Sequence, residues 1–293
     1  MPAKASYALL DGRGVLEVAG ADRVAFLQGL VSNDVTKAGM MRAVFAALLT
    51  AQGKYLHDFF IVALGDALYL DCEALRLADL KKRLSLYKLR SKVTIEDASG
   101  RYVVVSAWGD GVLARLGLDA ASAAKSFASG IAYADPRLDT LGARFLIPRG
   151  QESEIAALGF ARAEASAYDR HRLALGVPDG SRDLEVEKSI LLENGFEELN
   201  GVDFQKGCYM GQELTARTKY RALIRKRLLP VTVEGALPAP GTAIMAGGEE
   251  VGELRSGADG MALALLKLDA LEAKLSAGGA KLVPQKPEWM KLD

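Results

Sequence analysis

The chain has 293 residues, half of them hydrophobic, with 37 Lys plus Arg set against 37 Asp plus Glu. That length exceeds one ordinary core, so two or three packed units are expected. The balanced charge argues against a dedicated nucleic-acid or membrane binder, and no apolar run approaches the roughly 20 residues that span a bilayer.

Met1 to Leu10 shows no charged leader followed by an apolar stretch and a cleavage site, so a cytoplasmic protein is the expectation. Cys72 and Cys208 are too few and too far apart for a disulfide framework, and a reducing compartment suits them. No Cys-x-x-Cys pair exists, and the two histidines, His57 and His171, lack ligand spacing. The chain alone is therefore expected to hold no metal, and both histidines read as structural or surface groups.

In chain order, Arg13 to Val18 reads as a strand, and Asp22 as the cap of a helix carrying Phe26, Leu27 and Leu30. Ala43 to Leu49 is an apolar run of strand length. His57 to Leu64 and Ala67 to Cys72 flank Gly65-Asp66 as a hairpin. Ala74 to Arg90 places Leu75, Leu80, Leu84 and Tyr87 at helical spacing. Strands are expected at Lys92 to Glu96, Tyr102 to Ala107 and Ala143 to Pro148, and a helix near Ser166 to Leu175. Without a regular strand–helix alternation, this order predicts an α+β fold. From about Leu228, short strands separated by glycines predict a small β-barrel or sandwich.

Several catalytic motifs are absent. Gly12-Arg13-Gly14 has no third glycine in register, Gly53-Lys54 lacks the upstream P-loop glycine, and neither His-Glu-x-x-His nor Gly-x-Ser-x-Gly occurs. The informative stretch is Lys206-Gly207-Cys208-Tyr209-Met210-Gly211-Gln212-Glu213. Its glycines permit a sharp turn, and Gln212 to Tyr220 reads as a helix. Cys208 then precedes a helix N-terminus, with Lys206 nearby, and both features favour a thiolate. From residue type alone, a buried loop cysteine is the favoured reading.

Lys206 to Glu213 resembles, in full, the Lys-Gly-Cys-[Tyr/Phe]-x-Gly-Gln-Glu signature of the YgfZ family. Gln28-Gly29-Leu30-Val31-Ser32-Asn33-Asp34-Val35 is similar to that family's early Gln-Gly-x-x-[Thr/Ser]-Asn-Asp segment. Thr50 to Lys54 with Asp58, and Leu192-Glu193-Asn194 with Asp203-Phe204, are similar to two further elements. The resemblance implies the fold of the glycine-cleavage T-protein, a folate-dependent aminomethyltransferase. In that fold three subdomains surround a central channel that takes tetrahydrofolate or a derivative. It divides this chain into a folate-binding region, 1-222, and a barrel module, 223–293.

The same resemblance implies an accessory factor, rather than an enzyme, for assembly or repair of iron–sulfur enzymes, including radical enzymes that modify tRNA. Cys208 is then the working residue, with Lys206 beside it. A-type scaffold proteins and client cluster enzymes are the implied partners, and a cluster shared with a partner is one role for Cys208. A monomer is expected. A tetrahydrofolate-dependent aminomethyltransferase is the second reading.

Asn33, Lys54 and Glu193 are implied to line the folate channel. Glu193 suits the paired donors of a pterin edge, or is simply a solvated carboxylate. Asp34 fits either a ligand contact or a turn cap. Lys54 fits either a folate's anionic tail or a solvent-facing position after a Gly turn. Tyr209 is the aromatic singled out for stacking. Arg217 to Arg227 holds six cations in eleven residues and no acid. Arg217 and Arg221 are read as an anion-attracting rim, with a solvated helix end as the alternative and RNA binding third.

Overall fold

Apolar runs and alternating stretches in the first 162 residues resolve into two sheets, antiparallel except where the first strand pairs in parallel with Ala161–Arg162, and those of the last 70 into a barrel. A computed structural model describes residues 4–118, 120–221 and 224–292. The chain divides into two units. Unit 1 comprises Met1–Leu49, Leu56–Tyr168 and Leu199–Met210, and unit 2 comprises Thr50–Tyr55, Asp169–Glu198 and Gly211–Asp293. The expected boundary at 222/223 falls on residues outside the described set.

Along unit 1 run β1 (Ser6–Leu9), β2 (Arg13–Ala19), α1 (Arg23–Gln28), β3 (Val44–Leu49), β4 (Tyr55–Leu64), β5 (Ala67–Glu73) and α2 (Leu77–Tyr87). They continue with β6 (Thr94–Asp97), β7 (Tyr102–Trp108), α3 (Val112–Leu116), β8 (Ala124–Phe127), β9 (Gly130–Ala134), β10 (Ala143–Pro148), α4 (Ser153–Ala156) and β11 (Ala161–Arg162). α5 (Ala165–Ala174) carries the chain across the division into unit 2. The strand order is β3-β4-β5-β2-β6 in one sheet and β11-β1-β7-β10-β9-β8 in the other.

All six residues of β3 are buried, as expected for a strand covered on both faces. β4 and β5 meet at the predicted Gly65-Asp66 turn, with Leu64 opposite Ala67 and Gly65 at φ +58, a conformation glycine adopts freely.

Two expectations are corrected here. Residues 74–76 form a 3-10 turn, so the helix starts at Leu77 and its buried stripe is Leu77, Leu80 and Leu84. Leu75, in the turn before the helix, is therefore 94% exposed, and Tyr87, on the same face as the stripe but at the last residue of the helix, is also exposed. Asp22 stands at the start of α1 without capping it: its carboxylate instead accepts the Lys92 N–H at 2.7 Å.

Unit 2 contains α6 (Gln212–Tyr220), followed by β12 (Lys226–Glu234), β13 (Ala243–Ala246), β14 (Glu249–Ala258), β15 (Met261–Lys267), β16 (Leu275–Ala277) and β17 (Ala280–Pro284). These six strands close in the order β12-β15-β14-β13-β16-β17. Closure removes the unpaired edges that an open sheet of this size would expose. Val231, Ile244, Leu254, Leu266 and Leu282 fill the interior, each fully buried side chain contributing roughly 1.5–3 kcal/mol.

Candidate functional site

The signature motif straddles the division of the chain, Met210 ending the unit 1 segment and Gly211 opening the unit 2 segment. On the unit 1 side, residues 199–210 form a loop fastened to the segment 28–37. The fastening is polar and dense. Asn33 donates its side-chain amide to Phe45 O and to Asn200 O, each at 2.7 Å. The Ser32 hydroxyl donates to Gly201 O at 2.6 Å, and Asp203 N–H reaches Ser32 O. Lys37 pairs with Asp203 at 2.5 Å, and Met210 N–H bonds Gly29 O.

Lys206 is the pin of this loop. Its half-buried ammonium donates to Gln28 O at 2.6 Å and Val31 O at 2.5 Å, and lies 5.0 Å from the centre of the Tyr209 ring. Burial pushes the amine down to about 8, against the pull of Asp34 and Asp203. Two of its three donors are thus committed to backbone carbonyls. Tyr209 is buried beneath it, so its ring packs inside unit 1.

Cys208 stands between these two and is exposed. Gly207, at φ +91, turns the chain just before it. The loop geometry therefore buries Tyr209 and anchors Lys206 while leaving the intervening thiol in solvent. α6 begins four residues later, at Gln212, as predicted.

Asn33 and Asp34 belong to the fastening. The Asn33 side-chain oxygen accepts Asp34 N–H, and the Asp34 carboxylate accepts from Thr36 N–H, the Thr36 hydroxyl and the Gln28 amide. Burial alone would raise Asp34, but the Thr36 and Gln28 hydrogen bonds and Lys37 outweigh it and hold the carboxyl below its usual value. Of the two roles open to Asp34, turn capping is what the bonds describe.

The other named residues lie in unit 2. Lys54 follows a tight turn in which Thr50 N–H bonds Lys54 O and Lys54 N–H bonds the Thr50 hydroxyl. Gly53 is required there. It sits at φ +82, and an added Cβ would come within 2.6 Å of Gly211 O and of Leu214 Cβ at the start of α6. Glu193 lies in the 3-10 turn Leu191–Asn194 and is half-buried. Burial raises its carboxyl, while the charges of Lys226 and Lys54 pull it back. Glu193, Lys54 and Lys226 are thus electrostatic neighbours, and Lys226 is a member that the sequence pattern did not single out. Arg217 and Arg221 are exposed on and just after α6. Two other cations of that basic stretch are paired, Lys219 with Glu197 and buried Arg227 with Glu198 at 2.5 Å. The rim is thereby thinner than the composition suggests.

Sequence reading missed a buried ionic cluster in unit 1. Asp71 accepts from Arg144 at 2.6 Å and from Arg13 at 2.6 Å, and Arg137 forms a two-pronged pair with Asp135. Arg144 also stacks on Phe60 at 4.1 Å. Burial would raise Asp71, but Arg13 and Arg144 overcome it and hold the carboxyl low. The signal was present as charges interrupting apolar strands, Asp71 in β5 and Arg144 in β10. Their pairing depends on strands 73 residues apart.

The fold and the barrel place the chain in a known class. It superposes on the glycine cleavage system aminomethyltransferase T from Bartonella henselae with a TM-score of 0.79, covering 99% of this chain and 87% of that one, at 14% sequence identity. The α+β fold with a closed C-terminal barrel is that of this class. Residues 225–292 match the family described as the CAF17 C-terminal beta-barrel domain.

Sequence similarity narrows the class. The chain is 34% identical to the human mitochondrial iron-sulfur cluster assembly factor IBA57 over 96% of this chain and 84% of the relative. It is 33% identical to the mouse mitochondrial protein of that name over 91% and 78%. The chain belongs to the IBA57 family of iron–sulfur cluster assembly factors. The expectation of a cytoplasmic protein is overturned, since these relatives are mitochondrial and point to mitochondria instead. Two free cysteines indicate a reducing compartment but do not distinguish one reducing compartment from another.

Proposed function

We propose that this protein assists the assembly or repair of iron–sulfur enzymes by presenting the Cys208 thiol to a cluster held jointly with a partner. The observation that carries the reading is the exposure of Cys208 on a loop whose neighbours are locked, Lys206 onto two carbonyls and Tyr209 into the core. A thiol displayed on a rigid support is suited to soft-metal ligation, because the support limits the entropy lost on binding. Among the described residues no three His, Cys, Asp or Glu side chains gather as a metal-binding group, so a second protein supplies the remaining ligands. A-type scaffold proteins, which carry clusters in transit, and client enzymes, some of them radical enzymes acting on tRNA, are the partners this reading requires. Membership of the IBA57 family and the complete YgfZ signature support it.

The second part of the proposal is a reduced folate ligand. The half-buried Glu193 carboxylate accepts the paired donors of a pterin edge, and Lys54 and Lys226 attract the anionic end. Arg217 and Arg221 add to that attraction from α6. Asn33 and Asp34 contribute by positioning the Cys208 loop.

Two experiments separate the parts. Deleting the gene in its native host should lower the activity of a panel of cluster enzymes and spare enzymes without clusters. An unaffected panel removes the assembly role. Calorimetry with tetrahydrofolate should give a binding isotherm that Glu193→Ala weakens about tenfold or more. No heat with tetrahydrofolate or its formyl and methyl derivatives removes the folate part alone.

A further inference from the structure

Residues 81–92 read Lys-Lys-Arg-Leu-Ser-Leu-Tyr-Lys-Leu-Arg-Ser-Lys, six cations without an acid in a chain of zero net charge. They form the C-terminal half of α2 and the turn that follows it. Leu84 faces the core, but Leu86 is 68% and Leu89 88% exposed, and Tyr87 between them is exposed as well. Leu89 adopts φ +42, a left-handed conformation unfavourable for any residue with a branched or bulky side chain. The turn is held there by Ser91 N–H on Lys88 O, at 2.8 Å. A strained backbone that sets a leucine into water has no gain within unit 1 itself.

The surrounding charge identifies what such a tip meets. Among the described residues the side chains of Lys81, Lys82, Lys88, Arg90 and Lys92 enter no ion pair. Arg83 is paired with Asp79, which also takes His57. The Asp22 carboxylate accepts the Lys92 N–H and lines a shallow hollow with Leu89, Arg90 and Ser91. Apolar side chains standing outward within a collar of free cations match an anionic lipid surface, where leucines enter the acyl boundary and lysines stay with the headgroups. A protein partner would need a recess shaped to Leu86 and Leu89; a bilayer needs none. Among the described residues no helix is long and apolar enough to cross a membrane, so contact is peripheral.

We propose that the tip formed by Leu86, Tyr87 and Leu89, with Lys82, Lys88, Arg90 and Lys92 around it, docks this protein reversibly on anionic membranes. The balanced composition concealed this, because the charge is segregated locally. The docking does not depend on Cys208 or on folate.

The test is flotation of the purified full chain with phosphatidylcholine vesicles, with and without one-third phosphatidylglycerol. Wild type is expected to float only with the anionic vesicles, and to be released by high salt. Leu86→Ser with Leu89→Ser should weaken partitioning at least about tenfold. Lys82→Gln with Lys88→Gln should weaken it about fivefold per removed charge. Tyr87→Trp provides a spectral readout, its fluorescence shifting to shorter wavelength only with anionic vesicles. All these side chains are exposed or half-exposed, so thermal melts should remain at the wild-type midpoint. Wild type that stays with the aqueous phase overturns the proposal, as does flotation unchanged in both double variants. Capture of an acidic protein through this tip, without vesicle binding, also overturns it.

Discussion

Cys72 and Cys208 carry the same side chain in opposite settings, and the residues around each explain the contrast. Cys72 ends the apolar face of β5, next to Asp71 and its arginines, with its thiol 3.6 Å from Gly14 O. Burial, opposed by Arg13 and reinforced by Asp71, Asp97 and Asp58, pushes that thiol up to about 12. It is held as a small hydrophobic group, unreactive while the sheet is intact. Cys208 is exposed, and its loop is fastened by the polar bonds of Lys206 rather than by burial of the sulfur. Rigidity therefore has two sources in unit 1, and only one of them leaves a usable thiol.

The largest expected effect comes from breaking the buried source. Arg144→Ala would leave Asp71 with an uncompensated share of its charge and should cost about 3–5 kcal/mol. Denaturant melts measure that loss, and Cys72 should become open to alkylation under mild conditions. A loss below about 1 kcal/mol would mean the cluster does not hold the sheet around Cys72.

The polar source is tested by Lys206→Met. Removing two charge-assisted bonds to Gln28 O and Val31 O should cost about 2–3 kcal/mol, with faster amide exchange in residues 199–210. Cys72 should remain protected. If both cysteines loosen together, the two supports are one.

A pH scan sharpens the same contrast through His57, which lies in β4 with Asp79 2.9 Å away. Burial and the Arg76 charge push its imidazole down to about 4 from 6.5. The unfolded chain thus binds more protons between those values. Stability contributed by the neutral, buried His57 is complete above pH 6.5 and is lost as pH falls through the window, by roughly 3 kcal/mol. His57→Gln should flatten the slope. An unchanged slope in that variant would place the titration elsewhere.

Local pattern made much of this legible. The Gly65-Asp66 hairpin, the helix at Gln212–Tyr220 and the barrel strands follow from turn residues and spacing, which act over a few positions. The signature loop was visible as a motif, and its resemblance pointed to iron–sulfur cluster assembly, the role named for the IBA57 relatives. Less was visible where partners are distant in sequence. Lys206 was read as an activating charge for Cys208, yet its ammonium turns to carbonyls 175 and 178 residues earlier. Asn33 and Asp34 matched a ligand-binding segment, yet their polar atoms brace that same loop. Leu75 and Tyr87 fitted a helical stripe that in fact begins at Leu77 and ends at Tyr87, so one falls before the helix and the other at its exposed end. A hydrogen bond to a backbone carbonyl requires no particular residue at the acceptor, so the sequence carries no mark of it.

We propose that the exposed thiol of Cys208, and not the buried one of Cys72, performs the work of this assembly factor. Its most direct measurement is cluster-enzyme activity in a deletion strain carrying Cys208→Ser or Cys72→Ser at wild-type protein levels. Cys72→Ser should restore activity, and Cys208→Ser should fold normally and restore none. Full restoration by Cys208→Ser would contradict the claim and leave the signature as a turn that serves the fold.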